Sequence, residues 1–234
     1  MKKNCFIAVI GASGKMGQEL HQVLQTEKIK HFGITKSGNA ENYSETYKFE
    51  SAPKMQLQGV IDFSLPEAFE QALQYAKQNK APLVSGTTGL SQKQFQQMKK
   101  ISELIPILWS ANMSIGIAVL QQALQSFSAL HDFDFQIEDF HHKRKKDAPS
   151  GTGISLQANL EKIVSKKLPP ILSIRAGGII GTHKVHAVSN EEHLIFEHQA
   201  LSRRVFANGA VKSLFWLQKQ KKGLYSIEDM IRAN

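Results

Sequence analysis

The chain has 234 residues, a formal net charge of +9, 41% hydrophobic and 21% charged residues, and a single cysteine, Cys5. That length has room for two modest domains, no apolar run approaches the roughly 20 residues that span a bilayer, and one cysteine excludes an intrachain disulfide or a cysteine-based metal centre. A reducing cytoplasm is therefore the expected compartment and no membrane partner is expected, while the basic balance suits either nucleic acid or an enzyme of phosphorylated cofactors and acidic substrates.

Cys5 to Ile10 is an unbroken apolar run, the pattern of a parallel strand buried on both faces. The preceding Met1-Lys2-Lys3-Asn4 has the charge of a signal peptide, but the apolar stretch behind it is too short for one and reads as a first strand. It runs into Gly11-Ala12-Ser13-Gly14-Lys15-Met16-Gly17, after which Leu20, Val23 and Leu24 recur at helical spacing. Strand, glycine turn and helix in that order bind dinucleotides, although this G-x-x-G-x-x-G carries Ser13 where the usual G-x-G-x-x-G has glycine. Gly11, Ala12, Ser13, Gly14, Lys15 and Met16 are the expected cofactor loop.

Folds that prefer NADH place an acid about 20 residues past the glycines. Phe32-Gly33-Ile34-Thr35-Lys36-Ser37 contains none, and Lys36 with Ser37 suits a 2′-phosphate, so NADPH is the expected cofactor. The compact stretch between Ser37 and Gly59 leaves the adenine-side wall unassigned.

Strands are predicted at 59–63, 82–85 and 105–109, separated by helical patterns. They end in Ser64-Leu65-Pro66-Glu67-Ala68, in Gly86-Thr87-Thr88-Gly89 and in Ser110-Ala111-Asn112-Met113. Alone, the Gly86 segment reads as a tight turn. Ligands of open α/β sheets lie outside the carboxyl ends of the strands, so these turns and the Gly11 loop are expected to converge on one cleft.

Residues 114–131 predict one helix, with Ile117, Leu120, Leu124 and Phe127 on its apolar face. From Phe133 onward alternation predicts strands over 133–140, 171–174, 183–188 and 193–198, with one helix over 152–164, and hence a mostly antiparallel sheet. A last helix, with Val211, Leu214, Phe215 and Leu217, is placed back on the first domain. The expected fold class is α/β: a Rossmann-type dinucleotide-binding domain of residues 1–113 plus 207–234, and an α+β substrate domain of residues 114–206.

Between the first strand of that second domain and its helix stands His141-His142-Lys143-Arg144-Lys145-Lys146-Asp147-Ala148-Pro149-Ser150-Gly151-Thr152-Gly153. A helix start at Gly151 and Thr152 offers backbone N–H groups to an anion, and imidazoles and ammonium groups beside it add charge and protons. The expected ligand is a carboxylate or phosphate whose chemistry includes proton transfer. Lys219, Lys221 and Lys222 read as a solvated surface.

Over most of its length the chain resembles the 4-hydroxy-tetrahydrodipicolinate reductase (dihydrodipicolinate reductase) family of lysine and diaminopimelate biosynthesis. The likeness runs through the Gly11 to Gly17 segment, Asp62-Phe63-Ser64, Gly86-Thr87-Thr88-Gly89, Ser110-Ala111-Asn112-Met113-Ser114, the His141 to Gly153 segment, Arg175-Ala176-Gly177-Gly178 and Phe206-Ala207-Asn208-Gly209-Ala210-Val211. The resemblance implies acid–base roles for His141 and Lys145. It assigns the substrate carboxylates to His142, Ser150, Gly151 and Thr152, with Thr88 also reaching substrate. The cofactor falls to the glycine loop, Lys36, Gly86, Thr87, Thr88, Ser110, Ala111, Asn112 and Met113, with NADH as a possible second cofactor. A small dicarboxylate substrate, a homotetramer built through the second domain, and neither metal nor nucleic acid are further implications. Hydride addition to a cyclic C=N–C=C system leaves an enamine that needs a proton, which fits an imidazole and an amine at one site.

Other readings fit less well. Short-chain dehydrogenases use Tyr-x-x-x-Lys, and none of Tyr43, Tyr47, Tyr75 or Tyr225 has lysine four residues on. A non-enzymatic NADP sensor or nucleic-acid-binding regulator would use the basic loop but leaves the histidines and the Pro-Ser-Gly-Thr turn without a task.

Overall fold

The computed structural model describes residues 6–233, so Cys5, expected in the first strand, lies outside the described residues. Two compact units are present, one made of the chain up to Met113 together with the chain from Arg204 onward, the other of Ser114–Arg203. No helix is long and apolar enough to cross a membrane among the described residues.

In the first unit the chain runs β1 (Phe6–Ile10), α1 (Lys15–Thr26), β2 (His31–Ile34), β3 (Thr46–Tyr47), β4 (Leu57–Asp62), α2 (Pro66–Gln78), β5 (Leu83–Ser85), α3 (Gln92–Ser102) and β6 (Pro106–Trp109). All pairings in its sheet are parallel, with β4 and β2 flanking β1. The apolar run of β1 is explained by burial on both sides: Ala8 and Ile10 pack with Val60, Phe69 and Leu73, whereas Ile7 and Val9 pack with Leu20, Ile61 and Val84. Pro66 starts α2 where its missing N–H costs nothing, and a Ser91–Gln94 capping box starts α3. β3 is too short to show a sequence period.

The second unit continues with α4 (Ile115–Ala123), β7 (Asp134–His141), α5 (Gly151–Val164), β8 (Leu172–Arg175), β9 (Gly181–Val188) and β10 (His193–Ala200). Its sheet has the order β10-β9-β7-β8. β10–β9 and β9–β7 are antiparallel but β7–β8 is parallel, so the sheet is mixed where a mostly antiparallel one was expected. The physical reason is α5, which forms the crossover from β7 and returns the chain to begin β8 in the same direction. The single helix expected over 114–131 also differs: α4 ends at Ala123 and a 3₁₀ turn follows over Leu124–Ala129, where Ser126 and Ser128 hydroxyls donate to carbonyls three residues back. Ile117, Leu120, Leu124 and Phe127 still reach the core with Phe135, Ile137, Leu156 and Val185.

The chain then rejoins the first unit through α6 (Arg204–Leu217), β11 (Gly223–Tyr225) and α7 (Ile227–Arg232), with β11 extending the parallel sheet beside β6. α6 buries Ala207, Ala210, Val211, Leu214 and Leu217 on the face that carries Ile7, Val9 and Ile61. A Cβ at Gly209 would collide with the carbonyl oxygen of Met113, so only glycine lets the helix sit this close.

Candidate active site

Gly11 turns the chain out of β1 with φ +79°. A Cβ there would lie 2.5 Å from the carbonyl oxygen of Phe63, and one at Gly17 would strike the carbonyls of Gly11 and Ala12. α1 begins after Gly14 with no side chain capping it, so its first-turn N–H groups present the positive end of the helix dipole. Gly11, Ser13 and Gly14 line a cavity of ≈ 820 Å³ together with Lys36, Lys48 and Ser64. Ala12 is fully buried and Met16 packs against the core.

The turns after β4 and β5 are tied together by Asp62, which is fully buried. Its carboxylate accepts from the Ser64 N–H at 3.0 Å, Ser85 Oγ at 2.8 Å and Thr87 Oγ1 at 2.8 Å. Burial raises its pKa above the ordinary range, against the opposing effect of these hydrogen bonds. The indole of Trp109 donates to the Thr87 carbonyl at 2.9 Å, and Ser110 Oγ donates to the Asn112 carbonyl at 2.7 Å. Thr87 and Ser110 thus use their side chains to shape their own turns. Met113 sits in the core, Ala111 is exposed, and Thr88 is the exposed member beyond Gly86 and Thr87. None of the Gly86 to Thr88 or Ser110 to Met113 residues lines the glycine-loop cavity.

In the second unit, alternation along β7 turns Phe135, Ile137, Asp139 and His141 to the buried side. Register sets His183 of β9 and Ser173 of β8 on either side of Asp139. Asp139 is wholly buried and its Oδ2 accepts from the Ser150 N–H at 2.6 Å and from Arg175 Nη2 at 3.0 Å. Its Oδ1 lies 2.6 Å from His141 Nδ1 and 3.8 Å from His183 Nε2. Burial pushes the carboxyl pKa up, but the close contact with His141 and the hydrogen bonds from Ser150 and Arg175 outweigh it and hold Asp139 well below the usual carboxylate range.

His183 is brought down to about 4, chiefly by burial, with Asp139 opposing. It is therefore neutral near pH 7, and its Nε2 lies 3.1 Å from Ser150 Oγ. Ser150 caps α5 by accepting from the Gly153 N–H at 3.1 Å. Gly151 opens the helix at the surface, and a Cβ there would meet nothing within 4 Å. Arg175 holds the cationic loop: Nη2 donates to the Asp147 carbonyl at 2.8 Å and Nη1 to the Asp139 carbonyl at 3.1 Å. Lys145 Nζ pairs with Asp147 Oδ2 at 2.9 Å. His142 is half-buried, and desolvation followed by the cationic Arg144 and Arg203 lowers its pKa.

The donor atoms of Asp139, His141 and His183 lie within 4.8 Å of one another, close enough to meet at a metal ion. The same carboxylate also accepts from Arg175 and the Ser150 N–H through its other oxygen.

His141, Lys145, Ser150, Gly151 and Thr152, singled out in the sequence, thus fall in one segment from the end of β7 to the start of α5. Asp139, Arg175 and His183 were given no role there. The signal for Asp139 was present: two residues before His141 on an alternating strand, it must share that histidine's face.

The family model described as dihydrodipicolinate reductase, N-terminus, matches residues 5–113 of this chain, and that described as dihydrodipicolinate reductase, C-terminus, matches residues 116–231. The chain is 48% identical over 229 residues to a 4-hydroxy-tetrahydrodipicolinate reductase of Bdellovibrio bacteriovorus, covering 98% of this chain and 97% of the relative. It is 37% identical to the Campylobacter lari protein of the same name, covering 96% and 98%. Among solved structures, a dipicolinate-bound dihydrodipicolinate reductase from Paenisporosarcina sp. TG-14 superposes with a TM-score of 0.80 at 21% identity, covering 97% of this chain and 99% of that one, which is a likeness of fold.

Proposed function

The chain belongs to the dihydrodipicolinate reductase family, and from that premise we propose which of its residues bind, orient and protonate. Its activity is the NAD(P)H-dependent reduction of 4-hydroxy-tetrahydrodipicolinate to tetrahydrodipicolinate with loss of water, a step of lysine biosynthesis. The sensor reading is not favoured. The glycine loop and the uncapped start of α1 take the cofactor pyrophosphate, and Lys36, on the wall of the same cavity, takes a 2′-phosphate and so favours NADPH over NADH. The turns held by Asp62 and Ser110 support the cofactor, with Thr88 left exposed for the substrate.

When bound, the cofactor supplies a hydride. The remaining proton chemistry belongs to the second unit. His141 in its cationic form gives a proton to the enamine carbon: the imidazole N–H bond breaks, the C–H bond forms from the enamine π pair, and the ring nitrogen regains its double bond to carbon. Lys145 supplies a second proton-bearing cation and attracts a carboxylate, while His142, Ser150, Gly151 and Thr152 form the anion cradle, Ser150 acting mainly by capping α5. The observation that carries this reading is His141, buried against Asp139, which also anchors the start of that cradle through Ser150. A homotetramer and a cytoplasmic location belong to the same proposal; the exposed Leu172, Ile174 and Ile195 of the second unit suit a partner surface.

Steady-state kinetics of His141→Gln and Lys145→Ala test it. Each is expected to lose roughly 10²–10⁴-fold in kcat with cofactor affinity retained, and the double variant much less than the product of the two losses. Pyridine-2,6-dicarboxylate is expected to compete with substrate far better than the monocarboxylate. Near-normal turnover in both single variants, or equal inhibition by the two acids, overturns the assignment.

A further inference from the structure

Asp139 is the most deeply buried charge of the second unit, and its position is hard to explain as fold stability alone. Removing a carboxylate from water is costly unless it is paired, and here it meets the Ser150 N–H, Arg175 Nη2 and His141 Nδ1. Apolar residues would fill such a site as stably. Three elements instead converge on this carboxylate: β8 through Arg175, the start of α5 through Ser150, and β7 through His141.

We propose that Asp139 is a positioning residue that fixes His141 with its Nδ1–H on the carboxylate, so that Nε2 is the nitrogen that exchanges the catalytic proton. The inference rests on the acid–base reading of His141 and goes beyond it by naming the working atom and what selects it. Two observations besides the 2.6 Å contact agree. First, Gly181 stands against Nε2: a Cβ there would lie 3.1 Å from that nitrogen, so the absent side chain gives the ring its room. Second, the neighbouring imidazole cannot take over. His183 packs edge-on to His141 with ring centroids 5.3 Å apart, and its Nε2 is turned to Ser150 Oγ and 3.8 Å from the carboxylate. The charged and titratable groups around His141 are therefore Asp139 on its own strand, Arg175 on β8, His183 on β9, with His198 of β10 beyond it, and His142 and Lys145 on the loop.

A carboxylate 2.6 Å from Nδ1 selects the tautomer that keeps its proton on that nitrogen once the ring has given the other one up. In the cycle, Nε2–H gives its proton, the neutral ring keeps Nδ1–H on Asp139, and Nε2 is reprotonated from solvent.

The test compares kcat and KM in the full-length enzyme with NADPH for Asp139→Asn, Asp139→Glu, Gly181→Ala and His141→Gln, and reads the tautomer of the wild-type imidazole by ¹⁵N NMR, assigned by its loss in His141→Gln. Asp139→Asn is expected to lose about 10- to 100-fold in kcat with the KM for NADPH unchanged. Asp139→Glu should restore part of that kcat, Gly181→Ala should lower kcat with the KM for NADPH unchanged, and the neutral wild-type ring should carry its proton on Nδ1. Wild-type kcat in Asp139→Asn or in Gly181→Ala overturns the proposal. So does a neutral Nε2–H tautomer, and that measurement needs no variant at Asp139 to fold. Full activity in His141→Gln is a different result: it defeats the acid–base reading on which this one stands.

Discussion

Thr87 Oγ1 donates to Asp62 Oδ2 at 2.8 Å across the gap between the ends of β5 and β4. Thr87→Val keeps the shape and removes the donor, leaving part of a fully buried carboxylate unsatisfied, at a cost of about 1–3 kcal/mol. A lower Tm with a raised KM for NADPH is expected, because the turn carrying Thr88 loosens. The folded pKa of Asp62 is raised, so its contribution to stability is largest below its ordinary value and is lost as pH rises through the raised one. Asp62→Asn removes that dependence. The Tm difference between Asp62→Asn and wild type should move in favour of Asn from pH 4 to pH 7, which a thermal-shift series reads directly.

Two glycines on helices should behave in opposite ways. Gly209→Ala drives a methyl group into the Met113 carbonyl and should cost at least about 2 kcal/mol, visible as a large fall in Tm. Gly151→Ala adds a methyl group in open space and should leave stability within about 0.5 kcal/mol of wild type. If Gly151 meets the substrate, the same variant raises the KM for the dicarboxylate and not that for NADPH.

His183 gives the second unit an acid limit. Its pKa is lowered from 6.5 to about 4 in the folded chain, so the unfolded chain binds the extra proton between these values. Stability is therefore complete above about pH 6.5 and falls toward pH 4, by about 2–4 kcal/mol from this residue. His21, His31 and His198 are lowered in the same sense, so His183→Gln should reduce the slope rather than abolish it. Urea denaturation between pH 4 and 7 measures the difference.

Lys36 is exposed on the wall of the glycine-loop cavity. A solvent-screened pair with a 2′-phosphate is weak, so Lys36→Ala should reduce the kcat/KM ratio of NADPH to NADH about three- to fivefold and leave kcat alone. An unchanged ratio would move the selectivity to other residues of that wall, Lys48 first.

The parallel core of the first unit was legible because its strands are buried on both faces and end in glycine or serine turns, as at Ile10 and Ser85. β3 and β11 were not, since two and three residues are too few for a period. The helix over 152–164 was legible, but strand alternation alone carries no strand direction, so the parallel β7–β8 pairing that α5 creates was not. Within the candidate site, the part legible in the sequence is the contiguous segment from His141 to Thr152. Arg175 and His183 meet Asp139 only through strand register, and no local pattern in one chain encodes that.

Because α6 covers the face of Ile7, Val9 and Ile61 and is made last but one among the helices, the order of synthesis matters. Residues 114–203 form a contiguous unit and are complete in the nascent chain before Arg204 is added. The N-terminal sheet must wait, that side covered by α1 but not yet by α6, while the insertion is translated. At about 5–20 residues per second the delay is on the order of ten seconds, long enough for chaperones to bind the apolar surface that α6 will cover. A chain cut after Arg203 would keep that part of the face uncovered for good, and its recovery in soluble form would depend on holdase binding.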